Sequence, residues 1–366
     1  MNPARRLHDL GQSLWLDNIT RGILDDGTLQ GHITERAITG LTSNPTIFDH
    51  AFRNGTAYDA AIRQKATEGK AGEELFFELA IEDLRRAADL FRPVHERTGG
   101  VDGWVSLELS PLLAADTARS VAAARRLHAQ AGRPNLFIKI PGTPEGIVAI
   151  EESIFGGVPI NVTLLFSVEQ YLAAALAFLR GIERRLAAGL DPHVDSVASV
   201  FISRWDVAVA EAVPVPMHNR LGIAVAGGVY REYRRLLESP RWRTLAAAGV
   251  RPQRLLWAST GTKDPAASDT LYVVALAAPD TIDTIPEKTL LAFADHGRVG
   301  SVLPPDGGAA DAVLAEFTRA GVDLAALAAK LQADGARAFD KSWQDLLDCL
   351  SAKSTVLGRS GAARRT

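Results

Sequence analysis

Cysteine is nearly absent from this sequence, and the usual motifs of metal and nucleotide sites are missing. Cys349 is the only cysteine among 366 residues, so the chain can form neither an intramolecular disulfide nor a thiolate metal cage. The eight histidines include no HExxH or HxH pair, and no GxGxxG or GxxxxGKS/T loop occurs. These absences argue against a metal ion, a dinucleotide and a P-loop, so we expect no metal and no cofactor.

Long apolar runs and a strong excess of one charge are also missing. No run of about 18 apolar residues occurs that would span a membrane, and the N-terminal stretch MNPARRLHDLGQSLW lacks the apolar core of a secretory signal. Forty basic and 43 acidic residues give a net charge of −3. We therefore expect neither nucleic acid nor a membrane as a partner. The lone cysteine agrees with a reducing compartment, and we expect a cytoplasmic location.

The composition suits a globular domain with a sizeable core, since 47% of residues are hydrophobic and 23% are charged. A (β/α)₈ barrel of about 250 residues with insertions would hold the chain. We expect one barrel domain over residues 1–350, with Ala- and Leu-rich helices between 307 and 350 packed over one end. Residues 351–366 are expected to form a disordered tail. The oligomeric state, monomer or homodimer, stays open.

Short apolar runs alternate with longer amphipathic stretches, which is typical of βα units in a parallel sheet. Eight runs are predicted as strands, near residues 14–19, 37–43, 103–109, 136–141, 159–166, 196–203, 254–260 and 280–286. The stretch 44–100 is expected to hold several helices. Thr143 before Pro144, and Ser167 with Gln170, predict helix starts. Eight strands favour an α/β fold of the closed (β/α)₈ TIM-barrel type, and an open doubly wound sheet is the alternative.

Lys139 interrupts the apolar run LFIKIPGT of the fourth predicted strand. A buried lysine loses rotamer entropy, and its charge resists desolvation. One interpretation is an aliphatic stem on apolar surface with the ammonium in water. The other is a lysine kept neutral so that its nitrogen can attack a carbonyl. The octapeptide alone favours the first interpretation.

Further polar residues fall near the carboxyl ends of predicted strands, where barrel enzymes carry their active sites. They are Asp17, Asn44, Glu108, Asn161, Thr163, Ser199 and Arg204. Each has a structural explanation by itself, as a helix cap, an ion pair or a partner for backbone groups. The whole set is harder to explain in this way, because buried polar groups without a purpose are costly.

The set is chemically coherent as a lysine-dependent site. An amine forms a Schiff base with a ketone only when unprotonated, and an apolar environment lowers the pKa of a lysine from about 10.4. The iminium then accepts the electrons of an adjacent carbon–carbon bond as it breaks. Two carboxylates in different surroundings can move the protons, and an arginine with a serine suits a phosphate.

Eight stretches in order, covering about residues 13–290, resemble the transaldolases, which are Schiff-base-forming barrels of the class I aldolase type. They read SLWLDNITRGIL, GLTSNPTIF, VSLELSPLLAADT, LFIKIPGTPEGIVAIE, NVTLLFSVEQY, SVASVFISRWD, LLWASTGTKDP and DTIDTIPEKTL. The form is similar to the bacterial branch that also occurs fused to glucose-6-phosphate isomerase. The resemblance implies transfer of a dihydroxyacetone unit between sugar phosphates, without a cofactor.

The resemblance also implies catalytic roles for four residues. Lys139 is the Schiff-base lysine. Asp17 acts as acid and base on the hydroxyl beside the bond that breaks. Glu108, together with Thr163, holds and activates the water used in forming and hydrolysing the Schiff base.

Five further residues are implied to bind the substrate. Asn44 and Asn161 hydrogen-bond sugar hydroxyls, while Ser199 and Arg204 bind the phosphate. Many relatives carry a second arginine in the loop after the WAS stretch, where this chain has Lys263 as the candidate. Two alternatives stay open: an aldolase that releases dihydroxyacetone to water, and a phosphosugar-binding barrel without catalysis.

Overall fold

The computed structural model describes residues 2–362. Eight parallel strands pair in chain order, and β1 pairs with β8 to close a barrel. The strands are β1 Gln12–Leu16, β2 Ile38–Thr42, β3 Val105–Glu108, β4 Leu136–Pro141, β5 Ile160–Leu165, β6 Ser196–Phe201, β7 Arg254–Ala258 and β8 Thr281–Ile285. The predicted (β/α)₈ TIM-barrel fold is confirmed, and the open sheet is excluded.

Helices surround this barrel. They are α1 Pro3–Asp9, α2 Arg21–Asp25, α3 Thr28–Glu35, α4 Pro45–Asn54, α5 Asp59–Thr67, α6 Gly72–Arg97, α7 Thr117–Ala131, α8 Pro144–Phe155, α9 Val168–Ala187, α10 Ser203–Val209, α11 Leu221–Glu238, α12 Pro240–Ala247, α13 Leu271–Ala275, α14 Glu287–His296, α15 Ala310–Arg319 and α16 Leu324–Ala362. The connection 44–100 holds α4, α5 and α6, as predicted. Within residues 2–362, none of the helices has the length and apolar character needed to cross a membrane.

The interior of the barrel is layered, because successive side chains of a strand point to opposite faces. One layer is apolar and contains the rings of Trp15, Trp104 and Phe137. The Trp104 and Phe137 rings stack with their centroids 4.0 Å apart. Asp17 and Lys139 stand two residues beyond Trp15 and Phe137, toward the carboxyl ends. The aromatic layer therefore forms a rigid floor beneath these two polar side chains.

Gly40 on β2 makes room for this floor. A Cβ there would lie 2.7 Å from the Trp15 ring and 2.7 Å from the Trp104 carbonyl oxygen. We expect Gly40→Ala to lower the free energy of unfolding by about 1–3 kcal/mol, because the methyl must displace a packed indole and backbone. Chemical denaturation measures this change. Gly31→Ala is the control, since a Cβ at Gly31 meets nothing within 4 Å, and equal destabilisation by both changes would contradict the explanation.

The predicted helix starts at Thr143 and Ser167 are confirmed. The Thr143 hydroxyl accepts a hydrogen bond from the Gly146 N–H at 3.2 Å, and the Ser167 hydroxyl accepts one from the Gln170 N–H at 3.2 Å. The Gln170 side chain accepts from the Phe166 N–H at 2.7 Å. In a standard capping box this side chain would accept from the N–H of the N-cap, Ser167. Here it accepts from the N–H of Phe166, one residue earlier.

The C-terminal helix α16 is longer than the sequence predicts. It continues through residues 351–362, so the predicted disordered tail is wrong for these residues, and 363–366 lie outside the described residues. Leu357 is buried on this part of the helix, and Leu350 is buried directly before it. The Lys353 ammonium donates to the carbonyl oxygens of Phe52 at 2.7 Å and Gly55 at 2.5 Å. These contacts with the end of α4 offset the entropy that ordering the segment costs.

Candidate active site

A cavity of about 650 Å³ opens at the carboxyl ends of the strands. Seven of the residues predicted from the sequence line it: Asp17, Asn44, Lys139, Thr163, Ser199, Arg204 and Lys263. Glu108 and Asn161 are buried and contact residues of the lining. Within residues 2–362, no three His, Cys, Asp or Glu side chains are grouped so that they would hold a metal ion. The fold thus brings all nine predicted residues to one place.

Lys139 and Glu108 face each other on neighbouring strands. The register of β3 and β4 pairs them directly, and the lysine Nζ lies 2.6 Å from Glu108 Oε2. Nζ also donates to the Ser43 carbonyl at 2.9 Å. Each of the two side chains is only 8% exposed. The interpretation of Lys139 as a surface lysine with its ammonium in bulk water is therefore wrong.

The Glu108 carboxyl is suited to take a proton. Burial raises the pKa of Glu108, while the nearby charge of Lys139 acts in the opposite direction. A carboxylate with a raised pKa is a stronger base, and this one touches the amine. Within residues 2–362, Glu108 Oε2 contacts the Lys139 ammonium without a well-directed hydrogen bond, and Thr163 Oγ1 is buried without a hydrogen-bond partner. Since Thr163 lines the cavity, its hydroxyl is available to bind a water or a substrate hydroxyl.

Asp17 follows β1 in a different environment. The Thr42 hydroxyl donates to Asp17 Oδ1 at 3.0 Å, and Thr284 Oγ1 lies 2.7 Å from Thr42 Oγ1. Desolvation raises the pKa of Asp17, and the charge of Lys139 together with the Thr42 hydrogen bond opposes this rise. The two carboxyls near the lysine are therefore held differently, Glu108 by an ion pair with Lys139 and Asp17 by the hydroxyl of Thr42. This difference allows them to take separate roles as acid and base.

Asn161 and Ser199 form a buried pair. Ser199 Oγ donates to Asn161 Oδ1 at 2.6 Å, and Asn161 Nδ2 donates to Ser106 Oγ at 3.1 Å. These bonds fix the orientation of the amide beside Lys139, which pairs with Asn161 in the β4–β5 register. The hydroxyl proton of Ser199 is committed to Asn161, so a role of Ser199 at a phosphate stays a prediction.

Arg204 lies in the first turn of α10, with its guanidinium carbon 5.3 Å from the centroid of the Phe201 ring. Burial lowers the pKa of Arg204. Of the charged groups within residues 2–362, Asp334 is the one that opposes this effect, and it pairs with Lys330 and Arg337 instead. A partly desolvated arginine without its own carboxylate is suited to bind an anionic group.

The loops after β2 and β7 complete the lining. Asn44 accepts a hydrogen bond from the Ile47 N–H at 3.1 Å as the N-cap of α4, so its capping role and its place at the cavity coexist. Lys263 and Ser259 line the cavity from the loop after β7. Ser259 has φ +59°, which is uncommon for a residue with a side chain, and its hydroxyl lies 2.8 Å from that of Ser203.

Sequence reasoning missed several residues of the lining. They include Thr42, His50, Phe201, Ser259, Thr284 and Phe339. Thr42 ends β2 and Thr284 is the last residue but one of β8, so the rule that selected Asp17 and Asn44 would also have found them. The positive φ of Ser259 cannot be predicted from its residue type, because serine rarely adopts this conformation. Phe339 comes from α16, and no local pattern connects that helix with the barrel mouth.

Asp283 on β8 lies outside the cavity lining but is fully buried. Burial raises the pKa of Asp283 to about 7, although the hydrogen bond from Thr260 lowers it. Thr260 Oγ1 donates to Oδ1 at 2.7 Å, and no described residue forms a hydrogen bond with Oδ2. At this site the folded protein therefore holds more proton than the unfolded chain between about pH 4 and pH 7. The contribution of Asp283 to the free energy of unfolding falls as the pH rises through this window.

We expect Asp283→Asn to remove that slope, because an amide matches the protonated acid in shape and cannot ionise. From pH 4.5 to pH 8 the wild-type protein should lose about 2–4 kcal/mol of stability more than the variant. Denaturant titrations at the two pH values measure the difference. Asp348→Asn, at an exposed site on α16, should leave the slope unchanged. A slope that persists in Asp283→Asn would show that another group titrates.

A buried lysine with two nearby carboxyls, at the carboxyl ends of a (β/α)₈ barrel, is the arrangement of lysine-dependent enzymes of the aldolase type. Comparisons with known proteins agree with this class. A family model described as Transaldolase/Fructose-6-phosphate aldolase matches residues 14–350. The chain belongs to this family.

Relatives named transaldolase match nearly the whole chain. That of Parafrankia sp. (strain EAN1pec) is 45% identical over 361 residues, covering 95% of this chain and 97% of the relative. That of Thermobifida fusca (strain YX) is 45% identical over 356 residues, covering 95% of this chain and 97% of the relative. That of Thiobacillus denitrificans (strain ATCC 25259 / T1) is 44% identical over 355 residues, covering 95% of this chain and 99% of the relative.

Proposed function

We propose that this chain is a transaldolase that moves a three-carbon dihydroxyacetone unit from sedoheptulose 7-phosphate to glyceraldehyde 3-phosphate. The products are erythrose 4-phosphate and fructose 6-phosphate, as in the non-oxidative pentose phosphate pathway. The observation that carries the proposal is the buried contact of Lys139 with Glu108, next to a cavity that Asp17 and Arg204 also line. The relatives named transaldolase support it over the full length.

Formation of the Schiff base begins with the Lys139–Glu108 pair. The lysine gives its proton to Glu108, and the neutral amine attacks the ketone carbon of the sugar. As the new carbon–nitrogen bond forms, the ketone oxygen takes the proton from Glu108 and becomes a hydroxyl. Glu108 then removes a proton from the nitrogen of this carbinolamine and passes it to the hydroxyl, which leaves as water held by Glu108 and Thr163, and a protonated imine remains.

Cleavage uses Asp17. The carboxylate takes the proton of the C4 hydroxyl, the C3–C4 bond breaks, and C4 leaves as an aldehyde. The bond electrons enter an enamine that includes the lysine nitrogen. The enamine carbon then attacks the acceptor aldehyde, whose oxygen receives the proton back from Asp17. Water finally hydrolyses the imine and frees the product. Thr42 keeps the Asp17 carboxylate oriented through the hydrogen bond to Oδ1.

The remaining residues hold the substrate. Arg204 and Lys263 neutralise the terminal phosphate, with Ser199 nearby, while Asn44 and Asn161 meet the sugar hydroxyls. The cavity of about 650 Å³ has the size typical of small-molecule sites. Binding the distant phosphate places the reacting carbons against Lys139, so it contributes to turnover as well as to affinity.

Arg204→Ala should raise the Michaelis constant for fructose 6-phosphate by about ten- to a hundred-fold, because a charge-assisted hydrogen bond is lost. Borohydride trapping with dihydroxyacetone, which has no phosphate, should be nearly unchanged. Lys263→Ala should give a weaker form of the same pattern. If trapping fails with both ketones alike, Arg204 supports the fold or the lysine, and the phosphate assignment is wrong.

An aldolase that releases free dihydroxyacetone is the second candidate, since the family description names fructose-6-phosphate aldolase as well. The same lysine chemistry serves both reactions. The test supplies fructose 6-phosphate with and without erythrose 4-phosphate. Turnover that depends on erythrose 4-phosphate supports the transaldolase, and equal release of dihydroxyacetone in both mixtures supports the aldolase. No turnover in either mixture would indicate that the chain is a phosphosugar-binding barrel without catalysis.

We also propose that the partners of this chain are small sugar phosphates and that it works in the cytoplasm. The near-neutral net charge of −3 gives no strong positive field that would attract nucleic acid, which supports the first proposal. The single cysteine fits a reducing compartment, which supports the second.

A further inference from the structure

Helix α16 crosses the barrel mouth and is fastened to the strands that carry the catalytic residues. The Gln332 amide donates to the carbonyl oxygens of Gly142 at 3.0 Å and Leu164 at 2.9 Å. Gly142 directly follows β4, and Leu164 is the last residue but one of β5. One side chain thus bridges the ends of β4 and β5.

The helix also approaches the barrel closely. A Cβ at Gly335 would lie 2.9 Å from Leu164 Cδ2 and 3.4 Å from Arg204 Nη1, so a larger residue has no free space there. Further along, the Trp343 indole donates to Glu73 Oε1 at 2.9 Å, and the Ser110 hydroxyl donates to the same oxygen at 2.6 Å. Ser110 belongs to the loop that follows Glu108. The helix is therefore held against the barrel at several independent points.

Phe339 on this helix lines two separate spaces. One is the large cavity that contains Lys139. The other is a chamber of about 20 Å³ lined by Glu108, Leu164 and Ala336. This volume exceeds the roughly 10–15 Å³ that one water molecule needs. Phe339 therefore borders both spaces.

We propose that Phe339 is a specificity-determining residue, which keeps water away from the three-carbon adduct on Lys139 and so favours transfer to an aldehyde over release to water. The inference rests on the proposed function. Its physical basis is the position of an apolar ring between the substrate cavity and a water-sized chamber at Glu108, held by a helix that cannot easily withdraw.

The two fates of the adduct differ in when water arrives. In transfer, the enamine carbon forms a bond with the acceptor aldehyde, the aldehyde oxygen gains a proton, and water hydrolyses the imine only afterwards. In release, the enamine carbon takes the proton that Asp17 holds after cleavage and returns to the imine. The oxygen of water then bonds to the imine carbon, the carbon–nitrogen bond breaks, and dihydroxyacetone leaves with the lysine restored. Excluding water before the acceptor binds therefore favours transfer.

The test compares Phe339→Ala and Phe339→Leu with the wild-type enzyme, using fructose 6-phosphate as donor and erythrose 4-phosphate as acceptor. Free dihydroxyacetone and sedoheptulose 7-phosphate are measured in the same reaction. In Phe339→Ala, release relative to transfer should rise at least about tenfold, which equals about 1.4 kcal/mol between the two barriers. Phe339→Leu, which keeps an apolar wall, should give a smaller rise and serves as the readout if the alanine variant does not fold.

Leu346→Ala is the matched control, because it removes a fully buried side chain from the same helix and lines neither space. Its ratio of release to transfer should equal that of the wild type. An unchanged ratio in the Phe339 variants, or an equal rise in Leu346→Ala, overturns the inference. Failure of the proposed function itself would be distinguishable, because the wild-type enzyme would then form no sedoheptulose 7-phosphate from fructose 6-phosphate and erythrose 4-phosphate.

Discussion

Lys139→Arg should abolish turnover, with a loss on the order of 10⁴- to 10⁶-fold, as expected when a covalent nucleophile is removed. The guanidinium keeps its proton and cannot attack a carbonyl, although it preserves the positive charge beside Glu108. The pair is buried, so the variant keeps the charge balance of the site and isolates the loss of nucleophilicity. Steady-state rates with fructose 6-phosphate and erythrose 4-phosphate measure the effect.

The control for this change is Lys288→Arg, at an exposed position on α14, which should retain full activity. Circular dichroism and a thermal melt establish that Lys139→Arg is folded. Activity within about tenfold of the wild type in a folded Lys139→Arg protein would mean that the Schiff base forms elsewhere or not at all.

Asp17→Asn should separate the two chemical stages. The amide cannot take the proton of the C4 hydroxyl, so cleavage should slow by about 10²–10⁴-fold while the Schiff base still forms. The thermal stability should change little, because asparagine can still accept the hydrogen bond from Thr42. Borohydride added to the variant with fructose 6-phosphate should therefore trap an adduct that retains the whole six-carbon sugar.

Glu108→Gln provides the comparison for this experiment. Glu108 touches the lysine nitrogen at 2.6 Å, so its loss should slow the formation of the adduct rather than the cleavage. Time courses of trapping followed by intact mass give both rates. If Asp17→Asn and Glu108→Gln slow trapping to the same degree, the two carboxyls do not divide the work as proposed.

The barrel could be predicted from sequence because its signals are local. Each strand is a short apolar run that lies between amphipathic helices, and both faces of a parallel strand are buried. The same alternation places Lys139 above Phe137 and Asp17 above Trp15, on the inner face. Polar residues at strand ends therefore meet at one mouth once the strands close. The residues of the candidate site follow from this rule together with the family resemblance.

Other features depend on contacts between distant parts of the chain. The last turns of α16 are stabilised by Lys353, which reaches the end of α4, and a tail rich in small and basic residues gives no hint of this. Phe339 joins the cavity only because Gly335 lets the helix approach Arg204. The partnership of Ser199 with Asn161 likewise requires the register of β5 and β6. Such features require the fold to be known first.

Borohydride reduction of the enzyme-bound intermediate is the most direct test of whether Lys139 forms the Schiff base. The wild-type protein is incubated with fructose 6-phosphate, borohydride is added, and the modified peptide is located by mass spectrometry. We expect one three-carbon adduct, carried by Lys139 in the peptide that contains the β4 strand, and no adduct in Lys139→Arg. An active enzyme that is labelled at another lysine, or that is not labelled at all, would contradict Schiff-base formation at Lys139.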